Sequence, residues 1–199
     1  MNPSFARKLL CSISLVMTSL GVCAQVFPSK PVTIIAPFAA GGSADGIARI
    51  VARALGQVLG QPVIVENKPG AGGAIGLILV ANAKPDGYTI GMGATGAIAI
   101  GPHLPDAPPL NPDRQLQPLA KLADIPLVLV TGAKSGYVSL HALLDDAKKN
   151  EVPVGNPGRY TAQHLATELL ASTTKTKLLA VPYRGSAPAV DSVIGGQMP

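Results

Sequence analysis

Apolar positions along the chain fall into two alternating rhythms. A short continuous run at 32–36 (Val-Thr-Ile-Ile-Ala) suits a buried strand. Over 43–59, Ile47, Ile50, Val51, Ala54, Leu55, Val58 and Leu59 recur at i, i+3, i+4 spacing, which predicts a helix with one apolar face. Gly60 ends that helix and Pro62 blocks its resumption. The rhythm then repeats as strand 63–66, a long turn at 67–73, helix 74–83, a turn at Asp86-Gly87 and strand 88–92. This β-α-β-α-β order predicts a parallel sheet with helices packed on its faces. Ligands of such sheets sit beyond the carboxyl ends of the strands. The loops around Gly41-Gly42 and over 93–96 fall at that edge.

Prolines at 102, 105, 108, 109, 112 and 118 then rule out a long helix and predict an ordered surface excursion. Apolar runs at 116–122 and 127–131 suit two further strands. Ser139 is placed to cap a helix over 140–149, whose buried face is Leu140, Leu143, Leu144 and Ala147. Strand 152–155, loop 156–161, helix 162–172, strand 178–181, loop 182–186 and a helix from about Pro188 complete the pattern. The strand–loop–helix plan thus restarts near residue 125. The expectation is an α/β chain of two lobes, 25–124 and 125–199, each a mostly parallel sheet flanked by helices.

The ends change the picture. Arg7 and Lys8 precede an apolar stretch over 9–22, too short to span a bilayer and right for a signal-peptide core. Small residues at Cys23 and Ala24 place cleavage after Ala24, making 1–24 a signal peptide and the mature protein an exported one. A lipid anchor on Cys23 is the alternative, disfavoured by bulky Val22 just before it. Cleavage after Ala24 removes both cysteines, Cys11 and Cys23, so the mature chain rests on an ordinary core without disulfides. The formal charge of +5 is scattered, with no basic stripe, and a nucleic-acid partner is not expected. At the other end, Gly195-Gly196 reads as a helix terminus that should open a new element, which suggests a truncated product or a fragment.

Candidate chemistry is sparse. The loop 37–45 (Pro-Phe-Ala-Ala-Gly-Gly-Ser-Ala-Asp) joins a strand to a helix and carries no Lys, Arg or His. It offers backbone N–H groups at a helix N-terminus, which favours a small anion such as a carboxylate. The simpler reading is a tight connection with Ser43 or Asp45 as N-cap. Gly91-x-Gly93-x-x-Gly96 matches a dinucleotide fingerprint, but Pro102 and Pro105 arrive too soon for the helix that motif needs. His103, His141 and His164 have no metal-site spacing, although His164 lies in a first helical turn and could meet a ligand. No Gly-x-Ser-x-Gly elbow surrounds Ser43 or Ser186, so hydrolysis is unsupported. Arg184 beside Gly185 could clamp a carboxylate, and Tyr183 could offer its hydroxyl or ring. These residues call for no cofactor.

Taken together, the loops resemble those of the substrate-binding receptors of tripartite tricarboxylate transporters, the Bug-type periplasmic solute-binding proteins. The likeness is carried by Phe27-Pro28-Ser29-Lys30-Pro31, by Pro37-Phe38 with Gly41-Gly42 and Asp45, and by 65–73 (Val-Glu-Asn-Lys-Pro-Gly-Ala-Gly-Gly). It continues in Pro85-Asp86-Gly87-Tyr88-Thr89, Thr161-Ala162-Gln163-His164-Leu165, 181–189 (Val-Pro-Tyr-Arg-Gly-Ser-Ala-Pro-Ala) and Gly195-Gly196-Gln197. Each segment alone is weak; the ordered set is specific.

The resemblance implies a two-lobed Venus-flytrap binder that captures a small carboxylate and delivers it to a membrane permease. The ligand would be a di- or tricarboxylate, an acidic amino acid or an aromatic acid. It further implies that Phe38, Ala39, Ala40, Gly41, Gly42, Ser43 and Asp45, with Ala94 and Thr95, form one wall of the cleft. Asn156, Tyr160, Thr161, His164, Tyr183, Arg184 and Ser186 would form the other. Three departures stand out. Ala39-Ala40 replace prolines usual before the glycine pair; Tyr160 replaces a glycine before Thr161 and could narrow the cleft; and the chain stops well short of family length. A nonfunctional remnant of such a receptor is therefore the main alternative, and a nucleotide-binding enzyme a distant one.

Overall fold

The computed structural model describes residues 26–199. The expected signal peptide, with Cys11 and Cys23, lies outside the described residues. Strand β1 (Val32–Ala36) leads through loop 37–42 into helix α1 (Ser43–Leu59), and strand β2 (Val63–Asn67) follows. A 3₁₀ turn (Ala71–Gly73), helix α2 (Ala74–Ala81) and strand β3 (Thr89–Gly91) complete a parallel sheet of order β2-β1-β3. Central β1 pairs with both neighbours, Ile34 opposite Val65 on one side and Ile90 on the other. As the central strand of a covered parallel sheet it is apolar almost throughout and buried. Edge strand β2 alternates instead, turning Val63 and Val65 inward and Ile64 and Glu66 outward.

The first core joins Ile34 and Ala36 to Ala48 and Ala52 of α1, with Val51, Leu55 and Val65 around them. The helix expected over 43–59 forms, but its buried face is centred on Ala48 and Ala52 with Val51 and Leu55, while Ile50, Ala54 and Val58 of the expected face are exposed. Gly60 closes α1 in the left-handed conformation at φ 65. A second cluster holds Leu77 of α2 against Ala97 and Leu110, so the proline-rich excursion is pinned to the first unit. That excursion contains a π-helical turn (Gly96–Ile100), a 3₁₀ turn (Gly101–His103) and the short helix α3 (Pro112–Gln115).

The second unit consists of α4 (Leu140–Ala147), β4 (Val152–Asn156), α5 (Ala162–Thr174), β5 (Leu178–Pro182) and α6 (Ser186–Ile194). Strands β4 and β5 pair in parallel, Val154 opposite Ala180. Its core is Leu143, Ala147, Val152 and Leu178. Ser139 caps α4 as expected, accepting from the Ala142 amide. Helix α6 begins at Ser186, two residues before the proline expected to open it.

Two expected strands do not form. Residues 116–122 and 127–131 are irregular and mostly exposed, with Leu119, Val128 and Val130 among the most exposed large apolar side chains. Residues 128–130 lie beside Pro153, Val154 and Gly155 of β4, across a narrow void of about 90 Å³, but make no ladder. Their apolar pattern is that of a strand; without a bonded neighbour it cannot become one.

Candidate functional site

The carboxyl ends of β1 and β3 and the starts of three helices converge on one cleft of about 790 Å³. Loop 37–42 enters it after β1, bringing Phe38, Gly42, Ser43 and Ala44. Residues 91–96 enter after β3, with Ala94 and Thr95 on the lining. The second unit contributes Pro157, Ala162, Gln163 and Ser186. The unladdered segment 120–127 closes a further side.

Charge is nearly absent. Lys121 and Asp124 are the ionisable lining residues, and they pair with each other at 2.7 Å in an exposed position. What the cleft offers instead is backbone. The first N–H groups of a helix have no partner within it. In α1 and α6 no side chain caps them, since the N-cap residues are Gly42 and Gly185. In α5 the Thr161 hydroxyl takes the His164 amide, leaving the amides of Ala162 and Gln163 beside the cleft. Three helix N-termini with partial positive charge therefore open on a cavity whose lining charges are paired, flanked by the hydroxyls of Ser43, Thr95 and Ser186 and the Gln163 amide.

The α1 end is braced from beneath by Asp45. This residue is not the N-cap; it is buried at 4% exposure and turns back under the loop. One carboxylate oxygen accepts from the Gly41 amide at 3.0 Å and from Arg49 Nε at 2.9 Å, and the other accepts from Asn67 Nδ2 at 2.8 Å. Asn67 Nδ2 also donates to the Phe38 carbonyl at 3.0 Å, so β2 and α1 together fix both ends of the loop. The Arg49 hydrogen bond, helped by those from Gly41 and Asn67 and opposed by burial, lowers the Asp45 pKa to about 2.

Of the residues singled out in the sequence, Phe38, Gly42, Ser43, Ala94, Thr95 and Ser186 line the cleft. The others do not. Ala39 donates its amide to the Arg184 carbonyl at 2.9 Å, so these two join the units through backbone, and the Arg184 residue is exposed. Ala40 and Gly41 are exposed outside the lining. Asn156 is buried at the end of β4, where its carbonyl accepts from Tyr183 N and its Oδ1 accepts from Gly158 N. Tyr183 packs near Gly155. Thr161 is a buried cap, and His164 stands 4.0 Å from Glu168 along its own helix. Tyr160 does not narrow the cleft: its hydroxyl donates to the Pro105 carbonyl at 2.7 Å, behind Gly96.

Several glycines read as anion-binding elements serve a second purpose, letting the units touch. A Cβ on Gly42 would lie 2.8 Å from Ser186 Oγ, and one on Gly96 would lie 2.5 Å from the Tyr160 carbonyl oxygen. Gln163 and Ala162 were missed as lining residues. The signal that could have found them is the helix start directly after a strand-end loop.

The tripartite tricarboxylate transporter family receptor model matches residues 47–199. The chain belongs to this family. A UPF0065 protein from the tcbD–tcbE intergenic region of Pseudomonas sp. (strain P51) is 40% identical over 197 residues, covering 96% of this chain and 58% of its own length. The solved periplasmic binding protein BugD superposes with a TM-score of 0.81 at 36% identity, over 86% of this chain and 58% of that one. MatC from Rhodopseudomonas palustris, solved with bound malate, gives 0.79 at 30% identity, over 86% and 59%. Rpa4515 from R. palustris, solved with adipate, gives 0.80 at 30% identity, over 86% and 58%. BugD is a periplasmic binding protein, not an enzyme, and the chain shares with it the α/β arrangement of parallel sheets flanked by helices expected from the sequence. The chain spans a little under three-fifths of the length of the relatives it matches.

Proposed function

We propose that the chain holds a small carboxylate in this cleft and, as a periplasmic receptor, hands it to the membrane permease of a tripartite transporter. The observation that carries the reading is the convergence of three helix N-termini on a cavity whose ionisable lining side chains, among the described residues, are the paired Lys121 and Asp124. A carboxylate there gains hydrogen bonds from amides that otherwise face water, and no buried lysine or arginine has to be desolvated. One carboxylate group would sit at the Gly42–Ala44 end of α1, within reach of Ser43 and Ser186. A second would face Ala162 and Gln163, or Thr95. The malate and adipate held by two family members are both dicarboxylates, which fits two such poles. The distant nucleotide reading finds no support in a helix after Gly96, since only a π-helical turn follows.

A second reading has an observation of its own. The wall formed by 120–127 is irregular and apolar, with Leu122, Ile125 and Leu127 about half exposed. A cleft with so loose a wall could fail to retain a ligand, which is the behaviour of a nonfunctional remnant. Thermal melts with malate, adipate and citrate decide between the two. A ligand at a hundred times its dissociation constant adds about 2.7 kcal/mol to the folded state. A raised midpoint with any of the three acids supports the receptor reading; no shift with all three favours the remnant.

A further inference from the structure

We propose that Tyr160 is a positioning residue, a clasp that sets the separation of the two cleft walls from outside the cleft. Tyr160 lies in the left-handed region at φ 66, a conformation that disfavours any residue with a Cβ. A tyrosine retained there has contacts that compensate. Its hydroxyl crosses from the second unit to the first and donates to the Pro105 carbonyl at 2.7 Å. Its ring borders an apolar groove with Ala71, Gly96, Pro102 and Pro108, and the Arg159 guanidinium lies 4.7 Å from the ring centre. Its own carbonyl is packed on Gly96, so close that no Cβ fits between them.

The position of this contact gives it leverage. Thr161, the next residue, caps α5, and Ala162 and Gln163 immediately after it line the cleft. On the other side, Thr95 and Ala94 line the cleft just before Gly96. The clasp thus stands two residues before Ala162 of one wall and packs its carbonyl on Gly96, itself a lining residue of the other. Breaking it lets α5 move away from the 93–96 loop without touching any lining group. Leu110 and Ala97, packed with Leu77 of α2, tie the excursion that carries Pro105 to the first unit.

The inference rests on the binding reading for its consequence, but its geometry is tested without ligand. The probe is amide exchange at Ala39, whose N–H bonds across the units to Arg184. In the full chain, Tyr160→Phe removes only the donor. Exchange at Ala39 should rise about fivefold, the factor one net hydrogen bond is worth, while amides in β1 and β4 keep their rates. Tyr160→Gly should raise it at least as much without lowering the melting midpoint, because glycine relieves the left-handed strain. Unchanged Ala39 exchange in the Phe variant, or an equal rise throughout both strands, overturns the clasp. With malate or adipate bound, the Phe variant should release ligand about fivefold faster. Faster Ala39 exchange with an unchanged release rate would overturn control of the cleft. If neither acid binds the parent chain, the binding reading fails while the exchange result still decides the clasp.

Discussion

Asp45 and Gly41 are joined by a hydrogen bond of 3.0 Å from the Gly41 amide to the Asp45 carboxylate, a charge placed under a loop that itself carries none above it. The loop is therefore stiffened by side chains from outside it. Asn67 holds the Phe38 carbonyl and Asp45 holds the Gly41 amide.

Replacing Asp45 by alanine should destabilise the fold by about 3 kcal/mol, because Gly41 and Asn67 lose their buried acceptor. Asn67→Ala should cost less, about 1–2 kcal/mol, since Arg49 and Gly41 still hold the carboxylate. The pH dependence follows from the same site. The Asp45 pKa falls from 3.8 to about 2 on folding, so its contribution is fully present above pH 3.8. It is lost as pH falls from there through 2. Its size is about 1–2 kcal/mol, reduced by the half-exposed Arg49 partner. Urea melts from pH 6 down to pH 2 should show this loss in the parent and not in Asp45→Asn. Equal slopes in the two proteins would refute the assignment.

Two glycines make a paired test of the inter-unit contact. A Cβ on Gly96 would meet backbone, 2.5 Å from Tyr160 O and 2.8 Å from Thr161 Cα. Gly46, on exposed α1, has nothing within 4 Å of its own Cβ position. Gly96→Ala should cost about 1–3 kcal/mol by overpacking, and should raise exchange at Ala39. Gly46→Ala should stabilise by about 0.5–1 kcal/mol through reduced backbone entropy in the unfolded chain. Chemical denaturation of both variants checks the pair. A Gly96→Ala protein as stable as the parent would mean the two units do not meet as described.

What could be read from the sequence divides along a physical line. Helix α1 was legible because its apolar spacing and Gly60 mark its extent, although its buried face centres on Ala48 and Ala52, and strands β1 to β5 because each is a short run beside a turn or proline. Local pattern and local punctuation suffice for those. The runs at 116–122 and 127–131 satisfy the same local tests, yet a strand is a pairwise object and these find no bonded partner among the described residues. The site divides similarly. Ser43, Thr95 and Ser186 sit at strand-end loops and do line the cleft. Asp45 in the first turn of α1, Tyr160 in the loop before α5 and Arg184 in the loop before α6 lie just as near the strand ends, but one turns inward, one outward to Pro105, and one bonds through its carbonyl. Side-chain direction in an irregular loop depends on contacts from distant segments, which spacing does not encode.

Thr161 offers a test of the α5 terminus that any carboxylate would use. Its Oγ1 donates to the Gly158 carbonyl at 2.7 Å and accepts from the His164 amide at 3.3 Å. Thr161→Val keeps the shape and removes both bonds, so it should cost about 2 kcal/mol. Thr161→Ser restores the hydroxyl and should recover most of that. Denaturation midpoints of the two variants provide the check; a valine variant as stable as the serine one would show that the cap contributes nothing.

The exposed apolar run from Leu119 to Val130 carries the last expectation. Val128 is 78% exposed and Val130 56%, and residues 128–130 lie beside β4 without joining its sheet. An extended apolar segment with free backbone groups beside an open strand edge is a template for pairing with another chain. The chain should therefore bind a hydrophobic dye strongly and self-associate at micromolar concentration. Val128→Lys should weaken both, because a lysine cannot enter a dry strand pairing without losing its hydration. It should change folding stability by no more than about 0.5 kcal/mol, since the side chain it replaces is already in water. Sedimentation velocity and dye fluorescence on parent and variant measure the two effects. A parent that stays monomeric and dark would mean that this segment is shielded, and that its exposed valines are not a pairing edge.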